Sequence, residues 1–183
     1  DGYCIVTFTW FLFTLFGMLP FYFSGGIPSV TDAFFETMSG FTTTGATILD
    51  DIESLSHGLL FWRSLTQWIG GLGIVFFTIA VLPIFGGGTI QLFSAEAIGV
   101  THDKTHPRID VMAKWLWMIY AILTVVETML LMIGGMSFFD AVCHSFSTTA
   151  TGGYSTKQAS VAYWNSPFIE YVIAIFMILS GIN

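Results

Sequence analysis

Charged side chains are what this sequence has least of. They make up only 9% of its 183 residues, and Lys and Arg together number five. A soluble domain carries about a quarter charged residues, so this composition excludes an ordinary soluble protein. A nucleic-acid partner is excluded as well, because five basic residues in a chain of net charge −7 cannot form a phosphate-binding face.

Cysteine is almost as scarce. Cys4 and Cys143 lie far apart and show no metal-ligand spacing, so neither a disulfide framework nor a metal site is indicated, and we expect both side chains to be buried. The sequence also lacks Ser/His/Asp, Cys/His and P-loop patterns. We therefore expect neither an enzyme nor a bound organic cofactor.

Long hydrophobic runs dominate instead, and 54% of the residues are hydrophobic. Residues 3–23 contain no charge over 21 positions, and a helix of that length rises roughly 31 Å, the thickness of a bilayer's hydrocarbon core. Similar runs at 61–85, at 115–134 and from Pro167 onward predict three more membrane-spanning helices. The sequence starts without Met and stops inside the fourth run, so we expect it to be part of a longer protein.

Two shorter apolar segments, residues 30–41 and 138–147, are too short to cross a bilayer. Each is preceded by a Ser, Ser29 or Ser137, with an Asp three residues later, which resembles a capping box at a helix N-terminus. Each segment then runs into a stretch rich in Thr and Gly. We therefore predict two short helices that re-enter the membrane and leave it on the same side.

This arrangement occurs twice, so the chain contains an internal repeat. Because each unit crosses the membrane twice, consecutive units share one orientation and the repeats are parallel. The predicted organisation is residues 1–85 for the first repeat, 86–114 for a connector and 115–183 for a second repeat that is truncated in its last helix. The corresponding residues are Ser29 and Ser137, Gly45 and Gly152, and Gly71 and Gly181, at offsets of 108, 107 and 110.

The basic residues predict the orientation of the chain. Residues 86–114 contain three of the five, whereas the loop at 49–58 contains none and has three acids. By the positive-inside rule the connector is cytoplasmic, and both Thr/Gly stretches face the outside. Arg63 and Lys157 are exceptions that fall on the outer side.

The Thr/Gly stretches have two interpretations. Irregular backbone at membrane depth is tolerated only where protein buries it or where it lines a water-filled path. One interpretation is a tight structural loop. The other is an ion selectivity filter, in which carbonyl groups and Thr hydroxyls replace the hydration shell of a cation and Gly permits unusual dihedrals. Because the same stretch occurs twice behind the same capped helix, we favour the filter.

Several separated motifs strengthen this interpretation. The runs FFETMSGFTTTGAT, FWRSLTQWIGGLGIVFF, LPIFGGGTIQLFSAE and FDAVCHSFSTTATGGYST resemble the Trk/Ktr/HKT superfamily of potassium transporters, most closely its bacterial Trk potassium-uptake membrane subunits. The resemblance covers essentially the whole chain. It implies an all-α membrane protein in which four parallel repeats surround one pore with pseudo-fourfold symmetry. Each repeat consists of a transmembrane helix, a re-entrant pore helix with a filter loop, and a second transmembrane helix, and this chain holds the first two repeats.

The resemblance also implies a location, partners and site residues. The expected protein is a multi-pass protein of the cell inner membrane, in contact with membrane lipid, that takes up potassium as a homodimer with a cytoplasmic nucleotide-binding regulatory subunit. Glycine at position 45 favours potassium over sodium. The residues implied to contact potassium are Thr42, Thr43, Thr44 and Gly45 in the first unit and Thr149, Ala150, Thr151 and Gly152 in the second.

Other interpretations stay open. A secondary solute transporter with broken helices predicts inverted repeats and polar breaks near mid-span, and a non-transporting membrane scaffold predicts that Gly45 tolerates any residue. Glu127 lies inside a predicted span, where it is either functional or, as we favour, hydrogen-bonded to a neighbouring group. Glu36 and His144 occupy matching positions in the two short helices, where they either support the filter or pack against the spans.

Overall fold

The structure, a computed structural model, describes residues 2–73 and 109–182. These residues form seven α-helices and one short 3-10 helix and contain no strand, which confirms the predicted all-α class. In chain order the elements are α1 (Gly2–Gly17), α2 (Leu19–Phe23), α3 (Val30–Phe41), α4 (His57–Gly71), α5 (Ile109–Ile133), α6 (Phe138–Thr149), the 3-10 helix (Ser160–Trp164) and α7 (Pro167–Gly181).

The first predicted span is interrupted once, between α1 and α2. Helical hydrogen bonds continue across the junction, from Met18 N to Thr14 O at 3.0 Å and from Tyr22 N to Met18 O at 3.1 Å. Pro20 in the first turn of α2 accounts for the interruption, because its ring removes a backbone donor and crowds the preceding turn. The two helices together contain an apolar stretch, Val6–Phe23, that is long enough to cross a bilayer.

Both predicted short helices are confirmed. α3 has the predicted bounds, and α6 extends two residues beyond the predicted end at 147. The predicted caps form too, since Ser29 accepts from the backbone N–H of Asp32 at 3.4 Å and Ser137 accepts from that of Asp140 at 3.1 Å. In the second cap the Ser137 hydroxyl also donates to the Asp140 carboxylate at 2.7 Å.

Replacing Ser137 by Ala should lower the free energy of unfolding by about 1 kcal/mol, because the N–H of Asp140 loses its acceptor. Ser56→Ala is the matched control, since Ser56 precedes α4 without making a side-chain capping bond. The apparent melting temperature of the full-length protein in detergent checks the difference. Equal shifts for the two variants would contradict the capping role.

The hydrophobic runs predicted the start of one of the three longer helices after α3, and the other two include residues that precede their predicted spans. α4 begins at His57, four residues before its predicted span, and α5 already includes Ile109, the first described residue of its segment and six residues before residue 115. α7 begins at Pro167 as predicted, because proline suits the first turn of a helix. Residues 57–60 and 109–114 are polar or mixed in sequence, so a hydrophobic run does not predict that they are helical.

Several predictions fall outside the described residues. They concern the second span beyond residue 73, the connector up to residue 108 and residue 183. Most of the basic residues that predict the orientation lie in this connector. The division into 1–85, 86–114 and 115–183 therefore stays a prediction.

Each unit has its own apolar core, and the outer helices keep apolar faces exposed. Phe8 on α1 is 68% exposed, Ile122 on α5 53% and Ile178 on α7 65%, as expected for surfaces that meet lipid. α5 also contains a second stretch, Lys114–Ile133, long and apolar enough to span. The first core comprises Met18, Phe21, Ile27, Ala33, Ile52, Leu55, Leu59 and Leu60, and the second Leu131, Met136, Ala141, Ile169, Val172, Ile173 and Phe176.

The two cysteines differ in their surroundings. Cys143 on α6 is buried, as predicted. Cys4 is exposed, so the prediction that it is buried is wrong. It lies on α1, whose side chains are largely exposed because few described elements pack against that helix.

α4 joins the two units. It packs against α3 of its own unit and against α6 of the other. Glycines permit the close approach to α3, since a Cβ on Gly70 would overlap the carbonyl oxygen of Phe41 and one on Gly40 would overlap the hydroxyl of Thr66. One helix therefore lies against the ends of both short helices, where the Thr/Gly stretches begin.

Candidate functional site

The first Thr/Gly stretch, residues 42–45, is a tight turn at the end of α3 and is called the first loop below. The N–H groups of Thr43 and Thr44 bond back to carbonyl groups in the last turn of α3, each at 3.0 Å. Thr43 has a φ of +53° and Gly45 a φ of +75°, so left-handed residues alternate with ordinary ones. A β-branched residue in this region is strained by about 1–3 kcal/mol, a feature typical of functional sites.

The second loop, residues 150–153, has the same backbone at the end of α6. The N–H groups of Thr151 and Gly152 each lie 2.9 Å from a carbonyl oxygen of the last turn of α6, and φ is +55° at Thr151 and +89° at Gly153. These features match the first loop at an offset of 108, so the counterpart of Gly45 is Gly153. The predicted pairing of Gly45 with Gly152, at an offset of 107, is wrong by one residue. Two adjacent glycines left the register ambiguous in the sequence.

Thr149 differs from the other residues that the resemblance places in the filter. It is the last residue of α6 and is 3% exposed. Its hydroxyl donates to Ser145 O at 2.7 Å and lies 3.3 Å from the Thr124 hydroxyl on α5. The Thr149 side chain therefore anchors α6 to α5, and the counterpart of Thr42 is Ala150.

Within the described residues, the carbonyl oxygens of both loops accept no hydrogen bond. No donor among residues 2–73 and 109–182 bonds to a carbonyl oxygen of residues 42–45 or 150–153. The loops also touch each other, since a Cβ on Gly45 would overlap the carbonyl oxygen of Gly152. Each loop follows the partly negative C-terminal end of a helix. Unpaired carbonyl groups in such a field can replace the water shell of a monovalent cation.

Glu36 and His144 hold the chain that leaves each loop. Glu36 is 1% exposed and accepts hydrogen bonds from the Thr47 hydroxyl at 2.9 Å and from the N–H of Ile48 at 3.0 Å. His144 is 3% exposed, and its Nε2 lies 2.9 Å from the hydroxyl of Ser155. Thr47 and Ser155 are related by the same offset of 108. The sequence left two alternatives open, and Glu36 shows both, since it bonds to the chain after the first loop and also contacts Arg63 of α4.

Arg63 completes the surroundings of Glu36. Its Nε lies 2.6 Å from the Glu36 carboxylate, and the two side chains are 2% and 0% exposed. Its Nη1 donates to Ser155 O at 3.1 Å, and its Cζ lies 3.5 Å from the centre of the Tyr154 ring. A cation–π contact of this kind is strong when both groups are desolvated. One buried cation on α4 therefore contacts both units.

Sequence reasoning missed this role of Arg63, which it treated as a charge on the outer side. A usable signal was present, because Arg63 and Gln67 lie one turn apart and so share a face of an apolar helix. Polar residues inside a span are expected to pair within the protein. The identity of the partners had no signal, since Glu36 and Ser155 are 27 and 92 residues away.

Glu127 is buried, as its position in a span predicts, and the hydrogen bond that we favoured stays a prediction. The side chain is 0% exposed, and neither carboxyl oxygen has a partner in the described part of the chain, although the Thr148 hydroxyl lies nearby. Two threonines of α5 that flank Glu127 bond to α6. The Thr124 hydroxyl lies 3.3 Å from that of Thr149, and the Thr128 hydroxyl donates to that of Ser145 at 2.9 Å.

At the outer rim a second ion pair joins the units. Lys157 Nζ lies 3.1 Å from the Glu53 carboxylate, and both groups are solvent-exposed in part. The hydrogen bond from Lys157 lowers the pKa of Glu53 below its ordinary value. The pKa of Glu53 is therefore lower in the folded protein than in the unfolded chain. The ion pair stabilises the fold at pH values above the unfolded-state pKa, and this stabilisation is lost as the pH falls through the folded-state pKa.

Comparisons with known proteins cover the whole chain. Residues 1–183 match the family model TrkH, described as a cation transport protein. The Trk system potassium uptake protein TrkH of Salmonella typhimurium is 50% identical over 185 residues, and TrkG of Escherichia coli K12 is 38% identical over 185 residues. Each of these alignments covers 100% of this chain and 38% of the relative.

A solved structure is similar as well. The crystal structure of the potassium transporter TrkH from Vibrio parahaemolyticus matches with a TM-score of 0.80 at 40% identity, over 100% of this chain and 36% of that one. The chain thus spans little more than a third of the length of these relatives, which are named as potassium uptake proteins or as a potassium transporter. Because the family model and the relatives match the sequence from end to end, the chain belongs to the TrkH family of cation transport proteins.

Proposed function

We propose that this chain supplies two of the units around a potassium-uptake pore and that the first and second loops form half of its selectivity filter. The proposed potassium ligands are carbonyl oxygens and Thr hydroxyls of the two loops. Thr149 acts as an anchor behind the second loop, and Gly153 enters the site as the counterpart of Gly45. The ligand-bearing residues are Thr42, Thr43, Thr44 and Gly45, and Ala150, Thr151, Gly152 and Gly153.

The observation that carries this proposal is a set of carbonyl groups that accept no hydrogen bond from residues 2–73 and 109–182, repeated in two loops of the same backbone form. An ordinary structural turn at membrane depth satisfies its carbonyl groups within the protein, because each unpaired one is costly. A filter needs them free for the ion. Strained φ values at Thr43 and Thr151, both β-branched, favour the same interpretation.

The chemistry of the site is exchange of water for protein oxygen. A potassium ion that reaches the loops sheds its hydration shell and is coordinated by carbonyl oxygens at the negative ends of α3 and α6. The acidic residues Asp50 and Asp51, which follow the first loop, raise the local concentration of cations, and salt screens this effect. Transport is downhill along the electrochemical gradient, and no step requires a resident cofactor.

The chain is a multi-pass protein of the cell inner, or cytoplasmic, membrane. Membrane lipid contacts the exposed apolar faces of α1, α5 and α7. We extend the proposal to the assembly that the family resemblance implies, a homodimer with a cytoplasmic nucleotide-binding regulatory subunit. In that assembly we predict that residues of the segment 86–114, on the cytoplasmic side by the positive-inside rule, contribute to the contact with that subunit.

Rubidium uptake into proteoliposomes that contain the full-length protein tests the proposal. We expect radioactive rubidium to enter, and potassium to compete with it better than sodium does. A secondary solute transporter or a membrane scaffold predicts vesicles no more permeable to rubidium than protein-free ones. That result would overturn the proposed function.

A further inference from the structure

Two polar residues of α4 lie between the first and second loops. Arg63 and Gln67 are one turn apart, 2% and 0% exposed, and both contact Tyr154, the residue directly after the second loop. We propose that Arg63, Gln67 and Tyr154 form a brace that sets the distance between the loops and thereby the preference for one monovalent cation over another. This proposal rests on the proposed function, in which the loops bind the ion.

Tyr154 carries the brace from the second unit back to the first. Its hydroxyl donates to Glu36 O at 2.9 Å and to Ala46 O at 3.3 Å, and Ala46 directly follows the first loop. The Ser39 hydroxyl also donates to Ala46 O, at 2.6 Å. The chain just after one loop is thus bonded to the chain just after the other. A shift of either loop breaks these bonds.

Gln67 lies in the gap between the loop glycines. Its Oε1 accepts from the N–H of Tyr154 at 3.2 Å. Its Nε2 would lie 2.5 Å from a Cβ on Gly152 and 3.7 Å from a Cβ on Gly45, and it has no hydrogen-bond partner in the residues described. An unpaired buried donor is costly, so an apolar side chain would fill this space at less cost. The carboxamide adds the hydrogen bond from Tyr154, which ties the second loop to α4.

The polar pair of α4 is not repeated in the corresponding helix of the second unit. α7 begins 110 residues after α4, and at that offset Arg63 and Gln67 correspond to Ile173 and Met177. These apolar residues line a cavity of about 260 Å³ beside Gly152. The equivalent positions of the first unit hold the polar side chains of Arg63 and Gln67. Units within one chain are not related by exact symmetry, so the spacing of each loop pair has to be fixed by its own side chains.

The distance between the loops matters because carbonyl groups select among cations by the size and stiffness of the cage that they form. Arg63, Gln67 and Tyr154 contact no ion in this proposal and act as positioning residues. A buried network of charge-assisted bonds is rigid, because every change of length weakens several bonds at once. Loss of the Gln67 carboxamide or of the Tyr154 hydroxyl should widen the range of cations accepted and leave the path itself intact.

The test measures ion preference in proteoliposomes with the full-length protein. Gln67→Leu removes the carboxamide, and Tyr154→Phe removes one oxygen while keeping the ring over Arg63. For each variant we expect the ratio of potassium to sodium competition against rubidium uptake to fall by about three- to tenfold. Ser64→Ala is the control, because Ser64 is buried on the same helix beside Cys143 of α6 and forms no hydrogen bond with either loop among the described residues.

The outcomes separate the two proposals. A wild-type ratio in both Gln67→Leu and Tyr154→Phe, whatever happens to their melting temperatures, would overturn the brace and leave the proposed function standing. A fall of equal size in Ser64→Ala would overturn it too, since any buried change in α4 would then act alike. Absence of rubidium uptake by the wild-type protein would overturn the proposed function and the brace with it.

Discussion

In the full-length protein, Gly45→Ser is expected to reduce rubidium uptake by about tenfold or more and to weaken the preference for potassium over sodium. Gly45 has a φ of +75°, which side chains rarely adopt, and any Cβ there overlaps the carbonyl oxygen of Gly152. The change therefore strains the first loop and pushes it away from the second. Uptake of rubidium in cells that lack other potassium uptake measures the effect.

Gly25→Ser is the matched control for this prediction. Gly25 also has a φ of +75°, but a Cβ on it would meet no atom within 4 Å. A side chain at position 25 meets the same backbone strain as one at position 45 but no contact. Rubidium uptake and ion preference of the Gly25→Ser variant should therefore stay near those of the wild type. If Gly45→Ser behaved like Gly25→Ser, the contact between the loops would have no part in conduction.

Arg63→Met is expected to prevent stable assembly of the protein. The substitution leaves the Glu36 carboxylate buried without its cation, and breaking a buried pair in this way costs about 3–5 kcal/mol. The same change removes the bond to Ser155 and the contact over the Tyr154 ring. The yield of folded protein and its melting temperature in detergent should both fall sharply.

Lys157→Met is the matched control, because Lys157 also joins the two units through an ion pair. That pair lies at the exposed rim, where solvent and salt screen it, so its loss should change the melting temperature little. Arg63→Met and Glu36→Gln combined should recover part of the lost stability, since no unpaired charge then stays buried. Equal losses for Arg63→Met and Lys157→Met would show that burial of the first pair is not what matters.

The sequence predicted those parts of the site that depend on local pattern. The bounds of α3, the caps at Ser29 and Ser137, and the presence of two loops each follow from residues close together in the chain. Hydrophobic runs likewise predict α7, where proline adds a start signal. Each of these features depends on residues that are close together in the sequence, so it can be predicted without knowing how the helices pack.

The sequence could not predict how the two units pack against each other. The register of the second loop depends on which of Gly152 and Gly153 is left-handed, and only backbone geometry decides that in favour of Gly153. The contacts of Arg63 depend on how α4 packs between the units, and the hydrophobic periodicity of the sequence does not predict that packing. Glu127 shows the same limit, because whether a buried carboxyl group finds a partner depends on its neighbours in space.

The most direct test of the central claim is to locate the bound cation itself. Crystals of the full-length protein soaked in rubidium give anomalous difference density at the ion. Density is expected between the loops, bounded by carbonyl oxygens of residues 42–45 and 150–153, and it should be displaced or weakened in the Gly45→Ser variant. Rubidium bound only elsewhere, at concentrations that saturate uptake, would contradict it.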